Sequence, residues 1–381
     1  MGNNYGCSCL RRDITVNCEY VTGMKQEPIH NVCNKSPNNK SQSEVTDLEK
    51  AKSKKNDSII LEQIKPECKQ ISESENSFPA LHEKVINIIN KIGPFVLTEK
   101  EMNQISQKNF TKKGPIQIEN NMVYTGTWND KGEKEGYGEI LFSDGGKFEG
   151  FFKNDMMNGR GRLINSQGDY YEGEFLNDKA NNFGRYVSAE GVEYIGGWKD
   201  DKQHGKGEET YIDGSKYIGF FEFGEKNGKG LFNWPDGSSF EGNFLKNTIN
   251  GKGTYKWKDG RVYQGDWVNN KMEGCGIFIW PDNKKYVGQY KDDKKYGFGI
   301  FVWPDGKRYK GFWQNGKQNG FGIMTANGET RIGEWKNGQK TRWFEDNKEN
   351  ENFIKKISKK INDAAEMLKF NENLSIKIVD S

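Results

Sequence analysis

The sequence predicts an all-β fold, an elongated single-layer antiparallel β-hairpin solenoid flanked by short α-helices. Three observations support this prediction. An aromatic-x-Gly-x-aromatic unit recurs about every 23 residues along most of the chain. Within each unit, aromatic residues and glycines alternate with a period of two, which is the period of a β-strand. Turn sequences such as Pro235-Asp236-Gly237 recur at one place in the units. They predict a chain reversal there, because Pro fixes φ and Gly supplies positive φ.

Composition limits the kind of core that the chain can build. Only 33% of the 381 residues are hydrophobic, whereas aromatic residues reach 13% and there are 46 glycines. A large aliphatic core is therefore not expected, and a thin core filled by aromatic rings is predicted. The formal net charge of +3 gives no reason to predict a nucleic-acid partner.

The compartment is predicted from what the sequence lacks. No stretch approaches 18 consecutive apolar residues, and no apolar run near the N-terminus resembles a signal peptide. We therefore expect a cytoplasmic protein. Five of the six cysteines lie in the first 68 residues, and in a reducing cytosol they are not expected to form disulfides.

The N-terminal region, residues 1–79, is rich in Asn, Ser, Lys and Glu and is predicted to be disordered. It begins MGNNYGCSCLRR, so Gly2 occupies the position for N-myristoylation, although Gly6 replaces the usual Ser or Thr. Cys7 and Cys9 are candidate palmitoylation sites, and a second lipid would make anchoring stable. The alternative is an ordinary disordered N-terminus with surface thiols.

Residues 80–112 are predicted to form two short helices. The first has apolar residues at helical spacing and ends at Gly93-Pro94, while Thr98 and Glu101 form a capping box that begins the second. The apolar residues of the first helix are Leu81, Val85, Ile88, Ile89 and Ile92.

The repeat array is predicted over residues 113–343. It contains a leading half-unit from Gly114, nine full units, and a partial tenth in which Arg331 replaces the leading aromatic residue. The nine units begin at Tyr124, Phe148, Tyr171, Tyr194, Tyr217, Phe240, Tyr263, Tyr286 and Tyr309.

Each unit is predicted to be one β-hairpin, with the Pro-Asp-Gly turn at one end and a loop of about six polar residues at the other. Tyr217, Gly219 and Phe221 share one strand face, so the glycine would leave room for rings of the adjacent unit. Rings used as platforms for nucleic-acid bases would need exposure beside a basic groove, and we favour a core. The predicted core aromatics are Tyr124, Trp128, Tyr194, Trp198, Tyr217, Trp234, Tyr263, Trp267, Trp280, Tyr286, Trp303, Tyr309, Trp313 and Trp335.

These units resemble MORN (membrane occupation and recognition nexus) repeats. Tyr263-Gln-Gly265-Asp-Trp267 and Tyr194-Ile-Gly196-Gly-Trp198 match the pattern closely, whereas Asn182 and Asn283 replace expected glycines. The resemblance implies a repeat scaffold. MORN arrays occur in junctional membrane complexes, in ciliary and cytoskeletal scaffolds, and beside the separate catalytic domains of lipid kinases and methyltransferases.

An enzyme is not predicted, and neither a cofactor nor a metal site is expected. The segments outside the array hold no recognisable catalytic domain, and the only histidines are His30, His82 and His204. The Gly-x-Gly pairs lack the third glycine of a dinucleotide loop and the Lys-Ser/Thr of a phosphate loop.

The C-terminal tail, residues 344–381, contains a predicted amphipathic helix at 351–370. One interpretation is a basic helix that lies on an anionic membrane. The favoured interpretation is a cap over the open end of the sheet. Its apolar stripe is Phe353, Ile354, Ile357, Ile361, Ala364, Ala365 and Leu368.

A row of lysines is predicted along one edge of the stacked hairpins. It could meet lipid headgroups or an acidic partner, but neighbouring aspartates reduce the local potential, so a solvated row that protects the edge is favoured. The row comprises Lys179, Lys202, Lys271, Lys294 and Lys317.

Three functions are compatible with these features. The first is a non-enzymatic scaffold, lipid-anchored at the cytosolic face of a plasma or ciliary membrane, which presents the array to protein partners. The second is a ciliary or cytoskeletal structural protein without a lipid anchor. The third is direct binding of phosphoinositides by the array. Neither the identity of the partner nor the oligomeric state is predicted.

Overall fold

The computed structural model describes residues 78–108 and 110–369. Within them, helices α1 (Glu83–Ile92) and α2 (Glu99–Ser106) precede the strands, and α3 (Glu351–Lys369) follows them. The strands are β1 (Thr111–Ile118), β2 (Met122–Trp128), β3 (Lys134–Leu141), β4 (Lys147–Lys153), β5 (Met156–Ile164), β6 (Tyr170–Leu176), β7 (Lys179–Val187), β8 (Glu193–Lys199), β9 (Lys202–Thr210), β10 (Lys216–Glu222), β11 (Glu225–Asn233), β12 (Ser239–Leu245), β13 (Thr248–Lys256), β14 (Val262–Val268), β15 (Lys271–Ile279), β16 (Lys285–Lys291), β17 (Lys294–Val302), β18 (Arg308–Gln314), β19 (Lys317–Ala326), β20 (Glu329–Lys336) and β21 (Gln339–Trp343).

All the strands belong to one 21-stranded antiparallel sheet, in which each strand pairs with its neighbours in the chain and β1 and β21 form the two edges. Such a meander needs only local connections, which is why a short repeat can extend it indefinitely. The predicted all-β class, built from hairpin repeats with flanking helices, is confirmed.

The strand connections at the two ends of each hairpin differ in length, but the short one lies where the longer loop was predicted. Strands β6 and β7 are joined by Asn177-Asp178 alone, whose φ angles of 50° and 65° are those of a tight type I′ turn. The longer connection is at the Pro-Asp-Gly end, where Gly237 N donates to Trp234 O at 3.0 Å. The predicted six-residue polar loop was wrong, because Asn and Asp tolerate positive φ and the remaining polar residues continue the strands.

The tight turns also join successive repeats. Asp178 Oδ1 accepts a hydrogen bond from the backbone N of Met157 at 2.7 Å, and Asp201 Oδ1 accepts one from Ala180 N at 2.8 Å. In both cases the donor is 21 residues upstream, on the preceding repeat. Each turn carboxylate therefore fixes its hairpin against the previous one.

Helix α1 packs on one face of the sheet. We call the face that carries Tyr217 and Phe221 the aromatic face, and the face that carries Ile218 and Leu231 the opposite face. On the opposite face, Val85 of α1 is fully buried in a small cluster. Its other members are Leu81, Ile88, Ile89, Ile92, Ile164, Tyr170 and Val187.

Helix α3 lies on the same opposite face, near the other end of the array. Ile357, Ile361 and Ala365 are buried against residues of β17–β20, among them Phe298 and Phe312. The favoured prediction of a cap over the open end was therefore wrong. The helix covers the face of the sheet, where these two phenylalanines provide an apolar footprint, and β21 remains an edge strand. The middle of the apolar stripe of α3 is thus buried by the protein itself, whereas Phe353 at its start remains 37% exposed.

Candidate functional site

The leading aromatic ring of each repeat fills the space over two glycines. A Cβ added to Gly219 would come within 2.4 Å of Tyr217 Oη, and one added to Gly230 would come within 2.5 Å of the same ring. All three residues belong to one repeat, so our expectation that the glycines make room for the adjacent repeat was wrong. The phenol donates to Phe220 O at 3.0 Å, beside a β-bulge between Gly219 and Phe221.

This hydrogen bond recurs along the array. Burial raises the pKa of six of these phenols, as at Tyr263, so they remain neutral donors. Their hydroxyls therefore stabilise the bulges and are not available to a ligand. Each of seven tyrosines donates to the carbonyl three residues later, at 2.9 to 3.1 Å: Tyr124, Tyr171, Tyr194, Tyr217, Tyr263, Tyr286 and Tyr309.

The predicted core aromatics fall into two groups. The first packs edge to face, as Tyr263 and Trp267 do with ring centroids 5.1 Å apart. The second is only half-buried along the margin of the core, together with Trp257, which the sequence analysis left out. The buried group is Tyr124, Tyr194, Trp198, Tyr217, Tyr263, Trp267, Tyr286, Tyr309, Trp313 and Trp335, and the half-buried group is Trp128, Trp234, Trp280 and Trp303.

A buried ion pair interrupts the aromatic face in the middle of the array. Glu209 occupies the position that Tyr186 and Phe232 hold 23 residues before and after it, and it is 5% exposed. Its Oε2 lies 2.7 Å from Lys226 Nζ and also accepts a hydrogen bond from Tyr211 Oη. This pair was not among the predicted site residues, although a glutamate in phase with aromatic residues was a visible signal.

The predicted lysine row lies at the first residues of β7, β9, β15, β17 and β19, and all five side chains are exposed. The row is interrupted, because Glu225 and Thr248 begin β11 and β13. Carboxylates of the following turns enter it: Lys271 Nζ lies 2.9 Å from Asp292 Oδ1, and Lys179 Nζ lies 3.7 Å from Asp200 Oδ1. The row thus combines both signs of charge.

The candidate lipidation residues Gly2, Cys7 and Cys9 lie outside the described residues. Within the described segments 78–108 and 110–369, no helix is both long and apolar enough to cross a membrane. The same segments contain no group of three or more His, Cys, Asp or Glu side chains that could hold a metal ion.

Comparison with protein families identifies the repeat. The family model described as MORN repeat matches ten consecutive segments that together make up more than half of the chain. The chain belongs to the MORN repeat family. The matched segments are residues 124–147, 148–170, 171–192, 194–216, 217–239, 240–260, 263–285, 286–308, 309–330 and 332–341.

No curated protein matches this MORN repeat chain in sequence. Among solved structures, the TCP domain of Drosophila melanogaster SAS-4, in complex with a proline-rich motif of Ana2, is 13% identical with a TM-score of 0.25 over 47% of this chain and 90% of that one. The TCP10 domain of Danio rerio CPAP, in complex with a STIL peptide, is 15% identical with a TM-score of 0.24 over 61% and 98%. These TM-scores are too low to support any inference about this chain.

Proposed function

We propose that this MORN repeat protein is a non-enzymatic scaffold, anchored by lipids at the cytosolic face of a membrane, that presents its repeat array to protein partners. The observation that carries the proposal is that the buried polar groups of the array form their hydrogen bonds within the array itself. The buried tyrosines donate to their own bulges, and the turn carboxylates bind the preceding repeat. The array therefore offers other molecules its surface, which suits a scaffold.

The membrane part of the proposal rests on Gly2, Cys7 and Cys9. A single myristoyl chain binds membranes only marginally, so the two cysteines would supply the second lipid that stable anchoring requires. The mixed charge of the lysine row is our reason for not assigning headgroup binding to the array itself, since Asp200 and Asp292 reduce its positive potential.

Mass spectrometry of the N-terminal peptide from the native source, combined with membrane fractionation, tests the anchor. We expect a myristoyl group on Gly2, acyl groups on Cys7 or Cys9, and a Gly2→Ala protein in the soluble fraction. Replacing both cysteines by serine should leave weak, reversible membrane binding.

Two results would count against the proposal. An acetylated or free N-terminus with free thiols would favour the alternative of an unanchored ciliary or cytoskeletal protein. A Gly2→Ala protein that remained on membranes, but dissociated in high salt, would favour direct lipid binding by the array.

A further inference from the structure

The opposite face of the sheet already binds helices at both of its ends. The cluster around α1 lies on β5–β7, and the cluster around α3 lies on β17–β20. The repeats between these clusters present the same strand positions to solvent. Because the array repeats every 23 residues, the contacts made at each end show what the intervening positions can bind.

Arg160 provides the template for a charged contact. Its guanidinium donates to both oxygens of Glu101 on α2, at 2.8 and 2.9 Å. Lys206 and Lys229 occupy the same repeat position, two and three repeats later. Both lysines are exposed, and neither forms an ion pair with a carboxylate of the described residues.

Phe312 provides the template for an apolar contact, because it packs in the cluster beneath α3. Phe220 holds the same position four repeats earlier and is 41% exposed. Ile300 also packs against α3, and its counterpart three repeats earlier is the half-buried Leu231. The middle of the array thus repeats the apolar side chains on which α3 packs. Among the described residues, no helix covers them there.

These side chains are adjacent on β9, β10 and β11. Phe220 lies opposite Lys206, and Ile218 lies opposite Leu231 in the strand register. With Lys229 on β11 they form a surface that we call the central patch: Lys206, Ile218, Phe220, Lys229 and Leu231. It combines three apolar side chains with two lysines that have no carboxylate partner among the described residues. Two glutamates border it on the same face: Glu208, opposite Ile218, is paired with Lys216 at 2.6 Å, and the exposed Glu241 lies opposite Leu231.

We propose that the central patch docks an acidic amphipathic helix of a protein partner. The helix would place its apolar stripe on Phe220 and Leu231, as α3 does on Phe312 and Ile300. Its carboxylates would pair with Lys206 and Lys229, as Glu101 of α2 pairs with Arg160. A helix fits better than an added strand, because β10 is hydrogen-bonded on both sides and offers no free edge.

Peptide binding to the full chain tests the patch directly. The probe is a fluorescent peptide with the sequence of α3 in which glutamate replaces each lysine, and the matched control peptide has the unchanged basic sequence. We expect the acidic peptide alone to bind in a fluorescence anisotropy titration. Phe220→Glu, and separately the double change Lys206→Glu and Lys229→Glu, should each weaken binding by about tenfold or more. Lys271→Glu makes the same charge change at the turn edge and should have no effect.

Melting temperatures of the variants would show that the array remains folded, because all the substituted side chains are at the surface. The proposal would be overturned if the acidic peptide failed to bind, if it bound the variants equally, or if the basic peptide bound as well.

A photo-crosslinker at position 220, used without peptide, adds a second criterion. Crosslinks to a second copy, or to residues of this chain outside strands β9–β12 that border position 220, would assign the patch to them and overturn the proposal. The inference rests on the proposed scaffold function, but it does not depend on acylation, so failure of the lipid anchor would be distinguishable.

Discussion

At the residue scale, the repeat depends on one ring and two glycines. The ring of Tyr217 fills the space above Gly219 and Gly230, and its hydroxyl satisfies a carbonyl at the bulge. In two repeats the leading residue is phenylalanine, Phe148 or Phe240, and it covers its glycines in the same way without the hydroxyl. The ring is therefore required more strictly than the hydrogen bond.

Substitution of Gly230 by alanine tests this difference. The new Cβ would overlap the Tyr217 ring, so we expect a loss of about 1–3 kcal/mol in the free energy of unfolding. Tyr217→Phe removes only a hydroxyl hydrogen bond and should cost about 1 kcal/mol. Lys229→Ala, on the adjacent residue of the same strand, is the control and should change little. Chemical denaturation measures all three, and an equal effect of Gly230→Ala and Lys229→Ala would contradict the interpretation.

The buried pair of Glu209 and Lys226 gives a second prediction. Replacing Glu209 by phenylalanine leaves a buried ammonium without its carboxylate, and should destabilise the array by about 3–5 kcal/mol. The double change Glu209→Phe and Lys226→Ile copies the residues found one repeat later, Phe232 and Ile249, so its stability should be close to or above that of the wild type. A double-mutant cycle followed by thermal unfolding measures the coupling. Additive effects would show that the pair is not an energetic unit.

At the element scale, α2 is held to the sheet by its capping box residue. Burial by itself raises the pKa of Glu101, but hydrogen bonds from Arg160 and Thr98 outweigh it and lower the pKa from 4.5 to about 2. A carboxyl group whose pKa is depressed by folding stabilises the fold above its unfolded pKa, and this stabilisation is lost as the pH falls towards the folded value. The contribution of Glu101 should therefore be complete near pH 6 and largely absent near pH 2.

Hydrogen exchange of α2 as a function of pH tests this contribution. Protection of residues 99–106, corrected for the intrinsic pH dependence of exchange, should fall between about pH 4.5 and 2, with a loss of the order of 1–2 kcal/mol once solvent screening of this partly exposed pair is allowed for. Glu101→Gln should give low protection at every pH, whereas Glu99→Gln, in the same helical turn without the Arg160 contact, should behave like the wild type. A pH profile unchanged by Glu101→Gln would assign the docking to apolar contacts alone.

The elements also show what could be read from the sequence. Alternation of aromatic residues and glycine was sufficient for the strands and their period, because each repeat makes mainly local contacts. The same pattern could not show the tight turns. The polar residues that flank Asn177 and Asp178 belong to the strands, but in sequence they cannot be told from loop residues. Nor could it place α3: an amphipathic stripe indicates that a helix is buried on one side, but not which surface covers it. The Glu209–Lys226 pair was hidden for a related reason, since their proximity arises from strand pairing.

At the scale of the whole array, each strand is hydrogen-bonded only to its neighbours, and ring contacts such as Tyr194–Phe221 reach only the next strand but one. Stability is therefore expected to be distributed along one dimension. The helices should make unfolding still more local, because α1 and α3 pack on different groups of strands. A defect in the middle of the array should consequently remain local, and the two helix-supported regions should stay folded.

Gly207→Val tests this locality. The new side chain would overlap the Tyr194 ring, because even a Cβ at this glycine lies 2.4 Å from Tyr194 Oη. We expect faster hydrogen exchange in about residues 193–239, by about tenfold for each 1.4 kcal/mol lost, with little change in the helix-supported residues 156–187 and 309–335. Lys202→Ala, an exposed side chain at the start of the same strand, should leave the whole pattern unchanged. Equally faster exchange in every repeat would instead show that the 21 strands unfold as one cooperative unit, and that the helices at the two ends stabilise all of it together.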